Sequence, residues 1–250
     1  MKIIRNIPLL AEFIYVLKEL TKQKANIVKY RELGDVEKER EYILKATSNW
    51  GKKLVEDLDI KLNIIGKENL PDKGPVVFVG NHQGYGDIPM YCAALDKFQT
   101  GFVAKDSLGK IPLYGQWIPL IRSVLLNRGN PRESLRTIEE AIGLINQGFS
   151  MVIFPEGHRS KGPDMAEFKK GSLRLATKPG VPVVPISIDG TYKLFEEKGY
   201  VQKHSRVDIM IHPPIETAGM SKPEASNLAE TVENIVRQGL EEIRANNISK

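Results

Sequence analysis

The sequence has few of the features that mark several common classes of protein. It contains one cysteine, Cys92, which excludes an internal disulfide and a cysteine zinc cluster. Cys92 stands in an apolar, helix-like segment and is predicted to be a small core residue rather than a nucleophile. No Gly-x-Ser-x-Gly pentapeptide occurs, which argues against a serine hydrolase with a nucleophile elbow. Repeats and low-complexity tracts are also absent.

Long apolar runs are missing as well. No stretch of about 18 apolar residues occurs, so no segment is expected to cross a bilayer. Glu12 interrupts the apolar residues near the start and no small-residue cleavage site follows them, which argues against a signal peptide. With 250 residues, 41% hydrophobic and 27% charged, the chain is typical of a folded soluble or peripheral protein with a substantial core.

The positive charge of the chain is concentrated at its start. Residues 1–31 carry seven basic and two acidic side chains, and this balance of +5 equals the net charge of the whole sequence. Apolar residues recur there at spacings of three and four, which predicts an amphipathic helix. The helix either packs on the protein or lies in a membrane interface, with Lys2, Arg5, Phe13 and Lys18 as docking residues. Nucleic acid is disfavoured as a partner, because the basic residues flank an apolar stripe rather than aromatic stacking residues.

The sequence predicts an amphipathic helical hairpin over residues 1–60, broken at Gly34 and Asp35 and expected to dock on a membrane, followed by an α/β domain over 61–250. Strands are predicted at 62–65, 76–79, 101–104, 123–126, 151–154, 183–188 and 206–211, and helices at 88–95, 134–147, 169–177 and 223–245. Strands alternating with helices predict a mixed, largely parallel sheet covered by helices. Ligands in such folds bind beyond the carboxyl ends of the strands.

A histidine and an aspartate follow the predicted strand at 76–79. Asp87 comes five residues after His82, and the two glycines between them let the chain turn back toward the imidazole. A carboxylate on one ring nitrogen fixes the tautomer and leaves the other nitrogen to act as a general base. The spacing alone is weak support, since Asp87 could cap the next helix and His82 could be an ordinary core histidine. No third or fourth ligand accompanies the pair, so no metal site is predicted.

Basic residues follow three other predicted strands. Lys105, Arg128 and Arg159 each come just after a strand, so in one sheet they would gather at the edge that carries His82. The planar fork of arginine suits phosphate oxygens, which predicts an anionic substrate held beside a base. Each cation could instead be solvated or paired with a carboxylate.

The chain resembles the glycerolipid acyltransferase family in four blocks that stand in the family's order. They are the His-x4-Asp block 81–87, Asn127-Arg128-Gly129, Phe154-Pro155-Glu156-Gly157-His158-Arg159-Ser160 and Val181-Pro182-Val183-Val184-Pro185. As in bacterial members, the resemblance implies transfer of a fatty acyl group from an acyl thioester to the sn-2 hydroxyl of 1-acylglycerol 3-phosphate, which gives phosphatidic acid. It implies acyl carrier protein or coenzyme A thioesters as co-substrate, no cofactor, and a peripheral position on the cytoplasmic face of the membrane.

The resemblance also implies roles for single residues. His82 would be the base and Asp87 its orienting partner. The phosphate-binding residues would be Arg128, Glu156, Gly157 and Arg159, and the acyl-donor side would be shaped by Pro182 and Pro185. Lys105 lies outside the blocks, and its phosphate contact is predicted from its position alone. The chain departs from the family pattern at Gly84, where many members have serine, and at His158, where threonine is usual, which leaves a substrate contact of His158 open.

Other readings of the same residues remain open. The acceptor could be glycerol 3-phosphate or another lysolipid. A non-catalytic protein that binds anionic lipids would explain the basic helix and the arginines, but it would leave His82 and Asp87 without a role. The sequence does not name the oxyanion donors, for which the glycine-flanked amides of residues 80–86 are candidates.

Overall fold

A computed structural model of the protein describes residues 21–112, 114–127 and 129–248. The predicted docking residues Lys2, Arg5, Phe13 and Lys18 lie outside these ranges, and so does Arg128.

The strands of the described residues form one seven-stranded sheet in the order β1-β7-β6-β2-β5-β3-β4. Their bounds are β1 Lys61–Ile65, β2 Val77–Gly80, β3 Thr100–Lys105, β4 Val124–Leu126, β5 Ser150–Ile153, β6 Val183–Asp189 and β7 Arg206–Ile211. All neighbouring pairs are parallel except β6 and β7, which are antiparallel. Every residue of β2 and β5 is buried, as expected for central strands covered on both faces. The predicted mixed, largely parallel sheet is confirmed.

Helices cover both faces of this sheet. They are α1 over 21–32, α2 Val36–Asp57, α3 Asp87–Ala94, α4 Trp117–Leu120, α5 Pro131–Asn146, α6 Arg174–Thr177 and α7 Lys222–Ile248. Side chains alternate along β2, so that Val77 and Val79 join one apolar cluster and Phe78 joins the other. Helices α5 and α7 contribute to the first cluster and α3 to the second. The helix predicted at 169–177 is shorter than expected, because Gly171 adopts a φ of +83° that a right-handed helix does not allow.

The described part of the predicted helical hairpin packs on the α/β domain. Ile27 of α1 and Ile43 of α2 are fully buried in its core, and Trp50 packs against both apolar clusters. Asp35 caps α2 by accepting a hydrogen bond from the amide of Lys38 at 3.0 Å. Membrane docking therefore stays a prediction for residues 1–20. Within the described residues, no helix combines the length and the apolar character needed to cross a bilayer.

A buried carboxylate fastens α1 and α2 to the domain. Glu39 is 1% exposed and accepts hydrogen bonds at 2.7 Å from Arg31 Nε, Arg122 Nε and Arg122 Nη2. Arg31 also donates to the carbonyl of Leu120 at 2.6 Å, and the Arg122 guanidinium lies 4.7 Å from the ring centroid of Phe149. The cost of burying the Glu39 charge is offset only while both arginines contact it.

We expect Glu39→Ala to lower the free energy of unfolding by about 3 kcal/mol, because it leaves two largely buried guanidinium groups without their carboxylate partner. Urea denaturation measures this change. Glu41→Ala is the matched control, since Glu41 is exposed on the same helix and forms an ion pair with the exposed Lys38 at 3.1 Å. The control should cost less than about 1 kcal/mol. An equal loss of unfolding free energy in the two variants would contradict the role of Glu39 in fastening α1 and α2 to the domain.

Candidate active site

The carboxyl edge of the sheet, where β2, β5 and β6 end, brings the predicted site residues together. His82 follows β2, Phe154 and Glu156 follow β5, and Thr191 follows β6. These three strands are parallel neighbours, so the loops that follow them are adjacent.

His82 and Asp87 form the predicted pair. Nδ1 of His82 lies 2.5 Å from Oδ2 of Asp87, whose side chain is fully buried. The His82 side chain is 18% exposed, and within the described residues Nε2 has no hydrogen-bond partner. With Nδ1 held by a carboxylate, Nε2 is the ring nitrogen available to accept a proton.

Three further donors surround the Asp87 carboxylate. Oδ2 accepts hydrogen bonds from the amides of Gln83 at 2.8 Å and Gly84 at 3.0 Å, and Oδ1 accepts one from the Thr191 hydroxyl. These bonds offset the cost of burying the charge and hold the carboxylate in place beside the imidazole. The alternative that Asp87 is the cap of α3 is not what the structure shows, since Gly86 stands at the N-cap.

Aromatic rings fix the plane of the imidazole. Phe154 stacks on His82 with centroids 4.2 Å apart and an interplanar angle of 11°. Tyr91 packs against Phe154 in an edge-to-face arrangement, with ring centroids 5.4 Å apart and an interplanar angle of 84°. Burial raises the pKa of Tyr91 well above its usual value. The sequence motif contains Phe154, but nothing in it indicated that the ring would stack on the histidine.

Glu156 joins the loop after β2 to the loop after β5. It is 1% exposed, and its two oxygens accept hydrogen bonds from the amides of His82 at 2.6 Å and Ala166 at 2.9 Å. Burial raises the pKa of this carboxyl. Because both oxygens face backbone amides, the structure gives Glu156 a supporting role, and the phosphate contact implied by the resemblance stays a prediction.

The backbone amides proposed as oxyanion donors are largely occupied. Those of His82, Gln83, Gly84 and Tyr85 each donate to a buried carboxylate oxygen. These four amides are therefore engaged in shaping the loop and are not directed at a substrate carbonyl.

Two of the predicted cations lie at the carboxyl edge. The Arg159 guanidinium lies 3.6 Å from the ring centroid of Tyr85, which belongs to the loop between His82 and Asp87. Lys105 ends β3, two strands from β2 and hence about 10 Å away across the sheet. Its side chain is exposed and has no ion-pair partner among the described residues.

A third cation, Lys169, was not recognised in the sequence. Gly157 has a φ of +75°, and a Cβ there would lie 2.8 Å from the Lys169 ammonium nitrogen. The Lys169 amide donates to the carbonyl of Pro155 at 3.2 Å, which turns the chain back to this position. In the part of the chain that the structure describes, the ammonium has no hydrogen-bond partner. Only the closure of the 155–169 segment places it there, and no local spacing encodes that closure.

The structure does not bring the remaining candidates to His82. Pro185 pairs with Val79 inside the sheet, and Pro182 lies at the opposite edge, where its carbonyl accepts a hydrogen bond from the Val77 amide at 3.0 Å. Their role on the acyl-donor side stays a prediction. His158 contacts the carbonyl of Glu156 through Nδ1 at 3.1 Å.

Cys92 is buried in the apolar core. Burial raises the pKa of the Cys92 thiol to about 12, which confirms a core residue. Among residues 21–112, 114–127 and 129–248, no group of three or more His, Cys, Asp or Glu side chains is placed to hold a metal ion.

Comparisons with known proteins agree with this geometry. Residues 61–189 match the Acyltransferase family. The chain is 32% identical over 187 residues to a 1-acyl-sn-glycerol-3-phosphate acyltransferase of Borreliella burgdorferi, which covers 74% of each chain. It is 37% identical over 157 residues to a chloroplastic enzyme of that name from Arabidopsis thaliana, of which it spans only 44%. The crystal structure of a 1-acyl-sn-glycerophosphate (LPA) acyltransferase from Thermotoga maritima superposes with a TM-score of 0.76 at 33% identity, covering 98% of both chains.

We expect Asp87→Asn to lower the free energy of unfolding by about 1–3 kcal/mol, because an amide can accept only on one side and leaves buried donors unpaired. Chemical denaturation followed by circular dichroism measures the change. Asp164→Asn serves as the control, since Asp164 is exposed and lies outside the pair. A loss for Asp87→Asn no larger than that of the control would refute the proposed network.

Proposed function

Since the chain belongs to the Acyltransferase family, we propose that it moves a fatty acyl group from an acyl thioester to the sn-2 hydroxyl of 1-acylglycerol 3-phosphate. The product would be phosphatidic acid. The observation that carries this proposal is the imidazole of His82, oriented by a buried carboxylate and open at Nε2. The names of the relatives from Borreliella burgdorferi and Thermotoga maritima support the same substrate class.

The reaction is a direct transfer with His82 as general base. Nε2 takes the proton of the sn-2 hydroxyl as that oxygen attacks the thioester carbonyl, and Asp87 stabilises the imidazolium that forms. The new ester C–O bond forms, the C–S bond breaks, and the imidazolium returns its proton to the leaving thiolate. A positioned base contributes a factor of about 10²–10⁴, and holding both substrates in register contributes more.

The phosphate of the acceptor would be bound by cations at the carboxyl edge. Arg159 and Lys169 lie on the loop that follows β5, beside the loop of His82, and Lys105 lies at the end of β3. Guanidinium and ammonium groups with free N–H bonds suit a phosphate monoester dianion. The predicted contact of Arg128 belongs to the same proposal, although that residue lies outside the described ranges.

The substrate and the charge of residues 1–31 together favour a peripheral position on the membrane. A lysophospholipid is dissolved in the bilayer, so the site has to dock at its surface. The basic, apolar start of the chain has the pattern of an interfacial helix. We place the protein at the cytoplasmic face of the membrane, where acyl carrier protein or coenzyme A thioesters would serve as donors.

Thiol release from each acyl thioester, with and without 1-acylglycerol 3-phosphate, tests the reaction. We expect release that depends on the acceptor, and a loss of about 10²–10⁴-fold in His82→Ala because the general base is removed. His204→Ala is the matched control, since His204 is exposed and paired with Asp59 at 2.6 Å. Acceptor-independent lipid binding without thiol release, or full activity in His82→Ala, would overturn the proposal.

Binding to vesicles tests the docking segment. Replacing Lys2, Arg5 and Lys18 together by glutamine should weaken partitioning onto vesicles that contain phosphatidylglycerol, by about 1 kcal/mol per charge. Co-sedimentation measures the effect. The same number of exposed lysines, Lys45, Lys61 and Lys97, is replaced in the control. If both triple variants bind as the unmodified chain does, residues 1–20 are not the docking segment.

A further inference from the structure

A buried carboxylate next to the His-Asp loop belongs to none of the four sequence blocks. Glu196 follows the short helical turn Thr191–Leu194, and its side chain is 3% exposed. Oε1 accepts hydrogen bonds from the amide of Tyr85 and from Nη1 of Arg159, both at 2.8 Å. It therefore connects the loop that carries His82 to Arg159, one of the cations proposed to bind the phosphate.

The contact with Glu196 orients Arg159 without using up its donors. One N–H group of the guanidinium bonds to Oε1, and the structure shows no other hydrogen bond of Arg159 among the described residues. The face of the guanidinium rests on Tyr85, and Phe195 packs against Tyr85 edge-on at 6.0 Å. The remaining N–H groups are free to bind oxygen atoms of a phosphate.

Gly84 is the position that makes room for Glu196. A Cβ at residue 84 would lie 2.4 Å from Oε2 and 2.7 Å from the carboxyl carbon of Glu196. Oε2 is buried and has no hydrogen-bond partner in the described residues. A buried unpaired oxygen costs about 1–3 kcal/mol, so stability alone gives no reason for a carboxylate here.

The segment that carries Glu196 is also bound to the catalytic loop. The amide of Gly190 donates to Oε1 of Gln83 at 2.9 Å, and the hydroxyl of Thr191 donates to Asp87. One segment thus supports the carboxylate that orients His82 and the carboxylate that orients Arg159. The distance between base and anion site is fixed by the same contacts.

We propose that Glu196 is a positioning residue, which with Tyr85 holds the Arg159 guanidinium in register for the acceptor's phosphate, and that Gly84 is required for this placement. The inference rests on the proposed function and adds a residue that determines how the phosphate is bound. It predicts that loss of Glu196 raises KM for an acceptor that carries a phosphate and leaves KM for a neutral acceptor unchanged.

Steady-state kinetics with 1-acylglycerol 3-phosphate and with uncharged 1-acylglycerol test the proposal. Glu196→Ala should raise KM for the phosphate acceptor by about tenfold or more, with little change in kcat, because Arg159 is no longer oriented. Glu196→Gln should keep KM near the value of the unmodified chain. The side-chain carbonyl of glutamine can accept both hydrogen bonds that Oε1 accepts, and Oε2 accepts no hydrogen bond from the described residues. Glu197→Ala is the control, since Glu197 is exposed beside it.

Gly84→Ala provides a second, independent variant. The added Cβ displaces the Glu196 carboxylate, so this variant should reproduce the rise in KM. Introduced into Glu196→Ala, Gly84→Ala should raise KM little further, because the carboxylate that the new Cβ would displace is absent. Additive effects of the two substitutions would overturn the proposal, as would an unchanged or lowered KM in Glu196→Ala.

A binding measurement separates this inference from the proposed function. 1-Acylglycerol 3-phosphate is added without an acyl donor, and its binding is measured as the shift in Tm with ligand concentration. Weaker binding to Glu196→Ala but not to Glu196→Gln supports the positioning role even if the protein transfers no acyl group. Equal binding to the unmodified chain, Glu196→Ala and Glu196→Gln overturns the positioning role, even if the transfer reaction is established.

Discussion

The arrangement of the site depends on one buried charge, the carboxylate of Asp87. Among the described residues its hydrogen-bond donors are four, from His82, Gln83, Gly84 and Thr191, and none of these comes from lysine or arginine. Satisfying a buried carboxylate in this way forces residues 82–84 to wrap around it, which leaves the imidazole only one orientation. The open Nε2 is therefore a consequence of how the Asp87 charge is accommodated.

Glu156 and Glu196 repeat this principle at the flanks of the same loop. Glu156 accepts the amide of His82, and Glu196 accepts the amide of Tyr85. The amides of residues 82–85 thus donate to three different carboxylates, those of Glu156, Asp87 and Glu196. These hydrogen bonds hold the loop in place although it has no regular secondary structure. Arg159 is held against this framework by Glu196 and Tyr85, and its other N–H groups make no hydrogen bond within the described residues.

The local pattern of the sequence was sufficient for the sheet, for the position of His82 and for its pairing with Asp87. β-branched runs ending in polar residues predict buried strands, and the carboxyl ends of parallel strands meet at one edge. Lys169, Thr191 and Glu196 were not recognised, because each reaches the site through a segment whose path depends on tertiary contacts. The stacking of Phe154 on His82 was missed for the same reason, since it joins two strands that are neighbours in the sheet but about 70 residues apart in the chain.

The direction of β7 explains why the chain after β6 contributes so much. Parallel neighbours require a crossover that carries the chain away from the carboxyl edge. β7 instead runs antiparallel to β6, with Asp189 paired to Asp208, so the connection over 190–205 begins and ends at the edge where His82 lies. Its length lets it place Thr191 on Asp87 and Glu196 on Arg159 before it enters β7. Strand direction is set by pairing across the sheet. Because β7 is antiparallel to β6, residues that follow β6, Thr191 and Glu196 among them, join those that follow β2 and β5 in the site.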